Sequence, residues 1–109
     1  MSFKIFPVTE KNFALGLNLI VNSSGYYSYS ICKESSNNVI ELSKGHHNKE
    51  DGADIKDLFF FERPEKGKVL KYIVKASFKT FPPNIEFFEF EKKVTIYNVD
   101  GVFNIFVNQ

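Results

Sequence analysis

The Asp100-Gly101 pair, set between two alternating segments, is the feature that most constrains this chain. Asp-Gly favours a two-residue type I′ turn, because both central positions need positive φ. Counting outward from it, Val99 faces Val102, Asn98 faces Phe103, Tyr97 faces Asn104, Ile96 faces Ile105 and Val94 faces Val107. Val94, Ile96, Phe103, Ile105 and Val107 then share one face. A slip of one residue would carry that whole apolar set to the other side, so the register is strongly specified.

The same period of two recurs upstream. Residues 3–8 read as a short strand that Pro7 confines to an edge or an end. In residues 12–21, Phe13, Leu15, Leu17, Leu19 and Val21 lie on one face. Turn chemistry at Asn22-Ser23-Ser24-Gly25 leads into a strand at 26–33, and the two segments read together as a second hairpin. A short strand is expected at 39–42, followed by a polar loop over 43–57, SKGHHNKEDGADIKD. Leu58-Phe59-Phe60-Phe61 is a continuous apolar run, which predicts a strand covered on both faces or partly used in an interface. Residues 69–81 alternate cleanly. Residues 85–99 keep phase except at Lys92, where a bulge or bend is expected.

No segment has the period of an amphipathic helix. The sum is an all-β, antiparallel β-sandwich of about seven to eight strands. At 109 residues and 12.6 kDa it forms a single domain, 1–109. The layout is similar to immunoglobulin-like or fibronectin type III domains, or to a small jelly roll. The Cys…Trp…Cys spacing of true immunoglobulin domains is missing, since the chain has one Cys and no Trp. The pattern therefore defines an architecture and no family.

Charge excludes little but points away from nucleic acid. The net charge of +1 provides no global field. Lys71, Lys75 and Lys79 share an outward face, but Glu89 and Glu91 on the next strand dress the same side, so no nucleic-acid partner is expected. Cys32 is the only cysteine, and the N-terminal residues contain no long apolar stretch. Together these favour a cytoplasmic setting with no transmembrane segment.

The densest group of metal-type side chains is His46, His47, Glu50, Asp51 and Asp54, with Asp57 close behind. Imidazole suits zinc and clustered carboxylates on a loop suit calcium. Lys44, Lys49 and Lys56 are interleaved with these acids, so a charge-balanced loop without a cofactor is the leading expectation and calcium or zinc the alternative. No nucleophile motif, phosphate-cradling glycine loop or paired-carboxylate motif occurs, so no enzyme is expected and no catalytic residue is named.

Aromatic excess is the stronger signal. The chain has 13 Phe and 5 Tyr, more than one small core needs. Tyr97, Val102 and Phe106 face outward on the C-terminal hairpin, and Phe59, Phe60 and Phe61 form a second group. Contiguous exposed apolar residues mark interaction sites. The expectation is a non-enzymatic interaction or adhesion module that contacts protein, including a homo-oligomer. The alternative is a lectin-like or C2-like module, with the 43–57 loop and Tyr26, Tyr27 and Tyr29 taking carbohydrate, calcium or a lipid headgroup. A small cytosolic inhibitor or immunity-type protein is the third reading.

Overall fold

The computed structural model describes residues 1–8, 14–36, 38–48, 53–100 and 102–108. Eight strands run in chain order: β1 (Ser2–Pro7), β2 (Ala14–Val21), β3 (Gly25–Lys33), β4 (Val39–His47), β5 (Ala53–Phe60), β6 (Val69–Thr80), β7 (Phe87–Val99) and β8 (Val102–Asn108). They form two antiparallel sheets, β1-β2-β5 and β4-β3-β6-β7-β8. This is the expected all-β sandwich. Among the described residues no helix is long and apolar enough to cross a membrane.

Alternation decides what lies between the sheets. Leu15, Leu17, Leu19 and Val21 of β2, with Phe3 and Ile55, meet Tyr29, Ile31, Tyr72, Val74, Ala76, Phe78, Val94 and Ile96 of the larger sheet. Each fully buried large side chain contributes roughly 1.5–3 kcal/mol. Side-chain contacts also tie the layers directly. The Tyr29 hydroxyl donates to the Ile55 carbonyl at 2.6 Å, and the Phe59 and Tyr72 rings meet edge to face with centroids 5.2 Å apart. The molecule is elongated, 53 × 28 × 20 Å, because β7 alone has 13 residues and spans roughly 43 Å at the usual strand rise.

The C-terminal hairpin has the register read from its turn, from Val99↔Val102 through Val94↔Val107. Asp100 takes a φ of 52°, as the first central residue of a type I′ turn must. Val94 and Ile96 are buried, while Ile105 and Val107 are half-buried against the core.

Other expectations are corrected. Within the expected 43–57 loop, residues 43–47 and 53–57 are strand, and residues 49–52 lie outside the described residues. Ser43 to His47 continue β4, pairing with β3 from Tyr29↔Ser43 to Gly25↔His47, and 53–57 begin β5 opposite Val21 to Leu17. β4 lies at a sheet edge with most of its residues exposed, so neither face needs the apolar alternation that reveals a strand. In β5 the alternation is broken by Asp57, which shares the inward side with Ile55 and accepts a hydrogen bond from the Leu58 amide at 2.8 Å.

β2 and β3 are not a hairpin either. β2 pairs with β1 and β5, β3 with β4 and β6, and Asn22-Ser23-Ser24 carries the chain from one layer to the other. Two alternating strands bury their faces equally well side by side or across a core, so periodicity cannot separate the two arrangements. Nor does β7 bulge at Lys92. Its pairing with β6 runs without a shift from Lys79↔Phe87 to Val69↔Tyr97. Lys92 stays opposite Val74, with its ammonium 5.7 Å from the centroid of the Phe3 ring. The aliphatic stem covers apolar surface while the charge sits over the ring. A register shift falls instead between Ile31 and Cys32, where β3 meets β4.

Candidate interaction surface

The outward face of the larger sheet is built in rows by strand register. Val69, Tyr97 and Asn104 form one row, and Lys71, Thr95 and Phe106 the next. Val99 closes the end beside the turn. Phe106 is 61% exposed, Val69 and Val99 are exposed to a similar degree, and Tyr97 is half-buried among them. This apolar end of the sheet contains the residues singled out on the hairpin, apart from Val102, whose side chain lies outside the described residues.

The hairpin is held straight by buried polar bonding that the sequence does not advertise. Asn98 points inward and is buried, and its side-chain amide donates to the Pro64 carbonyl at 3.1 Å. Its main-chain carbonyl accepts from the Gly67 amide at 2.9 Å, and its amide donates to the Lys68 carbonyl at 3.3 Å. Gly67, at φ 78°, lets the 64–68 turn close on the strand. The turn is thereby fixed against the end of the hairpin and stiffens the platform that carries Tyr97 and Val99.

The second aromatic group divides. Phe59 and Phe61 are 2% and 8% exposed and belong to the core, which removes them from any contact surface. Phe60 is 64% exposed on the opposite side of β5. The run is continuous in sequence, yet only its odd members are covered. Phe60 has company that sequence reasoning missed. Phe6, Gly16 and Leu58 form one row across the small sheet and Ala14 pairs with Phe60 in the next, so Phe6, Leu58 and Phe60 make a second apolar patch. The Phe6 ring lies over Gly16, where a Cβ would collide with it. The signal for this patch was present only in the pairing of distant strands.

The tyrosines also separate. Tyr29 is 1% exposed and serves the core, so it cannot contact a ligand. Burial, the largest influence, pushes its phenol well above the usual tyrosine range. Tyr27 is half-buried with its ring across Gly45. Tyr26 is exposed and packs edge-on against Phe81, with centroids 4.8 Å apart. Only Tyr26 of the three presents a free ring face.

The metal-type residues among the described ones are not brought together. His46 lies opposite Tyr26 on the exterior of the larger sheet, while His47 pairs with Gly25 on the other side of the strand. Adjacent strand residues point to opposite faces. Asp54 is exposed on the small sheet, and Glu50 and Asp51 lie outside the described residues. No group of three His, Cys, Asp or Glu gathers among the described residues. On the lysine face, Glu91 pairs directly with Lys75 and Glu89 with Ser77, as the charge pattern required.

Comparison with protein-family models, curated proteins and solved structures finds no match. The functional reading therefore rests on the surfaces themselves.

Proposed function

We infer that the protein is a non-enzymatic interaction module that works by protein–protein contact, self-association included. The observation that carries this reading is the outward apolar end of the larger sheet, where Val69, Val99 and Phe106 are exposed around Tyr97. Strands of a monomeric domain ordinarily keep such side chains for the core, and contiguous exposed apolar patches mark contact sites. The strand order supports the same reading. β1-β2-β5 against β4-β3-β6-β7 agrees with the A-B-E and C′-C-F-G arrangement of immunoglobulin-like sandwiches, a scaffold that serves recognition in many settings. β8 is then an addition beyond the usual last strand, and it carries Phe106.

Replacing Phe106 with Ser tests this. The substitution removes the largest exposed ring of the patch without touching the core, so stability should stay within about 0.5 kcal/mol. Sedimentation velocity should show weaker association. An unchanged hydrodynamic size together with unchanged stability would remove the hairpin face from the reading.

A further inference from the structure

Four strands lie at sheet edges: β1 and β5 in the small sheet, β4 and β8 in the large one. An edge strand offers a row of unpaired amides and carbonyls, and proteins usually blunt it with charge, proline, bulges or short length. β1 is short and ends in Pro7. β5 carries Asp54, Lys56 and the inward-side Asp57. β4 carries Glu41, Lys44, His46 and His47 and is offset by the register shift beside it. β8, VFNIFVN, has no charge, no proline and no glycine. It is the one edge without a guard among the described strands.

We propose that β8 is a homodimerisation edge, pairing antiparallel with β8 of a second copy about a two-fold axis at Ile105, so that two five-stranded sheets join into one. This deepens the reading above and rests on it. The hydrogen-bond phase of the hairpin fixes the register. Residues flanking a two-residue turn exchange both hydrogen bonds, so Val99 and Val102 are closed on each other, and likewise Tyr97 with Asn104 and Thr95 with Phe106. The amides and carbonyls of residues 103, 105 and 107 then point to the free edge. Centring the pair on Ile105 matches 105 with 105 and 103 with 107, which joins open groups to open groups along the whole strand.

Side-chain chemistry selects a second copy as the occupant. A two-fold axis brings each residue against one fixed partner, and any charge near the axis would approach its own image. β8 has none. On the outward face Phe106 meets the other copy's Asn104, whose neighbour in the next strand is Tyr97, so the two exposed patches become one continuous surface. On the inward face Ile105, half-buried at the margin of the core, gains cover from Ile105 of the second copy.

Disulfide trapping of the register tests the proposal. Asn104→Cys and Phe106→Cys are each made in a Cys32→Ser background, and oxidised alone and mixed. Residues 104 and 106 of different copies form a non-hydrogen-bonded pair about 4.5 Å apart at Cα, within disulfide reach. Residue 104 faces its own image only on the diagonal, roughly 7–8 Å away. Cross-linked dimer should therefore form in the mixture several-fold more than in either variant alone. Ile105→Pro, which removes an amide pointing to the free edge, should yield a folded monomer. A dimer that fails to cross-link in the mixture, or that survives Ile105→Pro, overturns the edge pairing and leaves the contact reading intact. Protein that stays monomeric at every concentration before any substitution overturns self-association as a whole.

Discussion

β4 and β8 are the two edges of the same sheet and differ in almost every respect. β4 is nine residues long, rich in charge and histidine, and shifted in register beside Ile31 and Cys32. Its apolar residues Val39, Ile40 and Leu42 are exposed but interrupted by Glu41 and Lys44. β8 is seven residues long, uncharged and regular in register, with inward side chains that touch the core. On the proposed pairing, exposed apolar area alone does not make a contact edge. What distinguishes β8 is that no feature of it opposes the addition of another strand.

Several substitutions sharpen or break this comparison. The largest effect belongs to the support under β8. Ile96, fully buried and paired with Ile105, should cost about 2–5 kcal/mol when replaced by Ala, read by urea denaturation. Association should weaken along with the fold, because β8 loses the surface it packs on. Next comes Asn98→Ala, which frees the Pro64 carbonyl from its partner and should cost about 1–3 kcal/mol. If that substitution proved neutral, the 64–68 turn would not be what stiffens the hairpin.

A comparable cost, about 1–3 kcal/mol, is expected for Tyr29→Phe, which removes the hydroxyl bridging the two sheets beside β4. Here pH adds a second readout. Burial raises the folded-state pKa of Tyr29, so between the unfolded value near 10 and the higher folded value only the unfolded chain releases the proton. Stability should therefore fall as pH rises above about 10, with the contribution intact below it. Tyr72, also raised by burial and then by Glu62, acts in the same direction. Tyr29→Phe should flatten the alkaline decline without abolishing it, and an unchanged slope in the variant would contradict the burial argument.

The smallest change in stability comes from a matched pair of charges. Leu42→Lys on β4 and Phe106→Lys on β8 both alter exposed residues, and both should leave stability within about 0.5 kcal/mol. Only Phe106→Lys should reduce association, because the ring against the other copy's Asn104 is lost and two like charges then lie on the diagonal across the axis. Equal loss of association from both would erase the distinction between the edges.

The hairpin and the core were legible in the sequence because alternation and an Asp-Gly turn fix register locally. Leu15, Leu17, Leu19, Val74 and Val94 could be assigned inward from period alone. What period cannot supply is the partner of a strand. It gave no means of placing β2 and β3 in different layers, of bringing Phe6 beside Leu58, or of seeing that Tyr29 reaches Ile55. β4 was invisible beyond residue 42 because an edge strand outside the core carries no apolar signal. Lys92 misled for the opposite reason, as a long side chain can hold an inward position and still place its charge over a ring. Of the residues expected to make contact, Phe106 is exposed and Tyr97 half-buried, whereas Phe59 and Phe61 are buried, since a continuous aromatic run does not reveal which alternate is covered.

Light scattering over a concentration series tests the central claim most directly. The pairing of β8 with a second copy predicts a mass that rises from 12.6 kDa to twice that value and stops there, as a closed two-fold assembly requires. A mass of 12.6 kDa that holds at every concentration would contradict it.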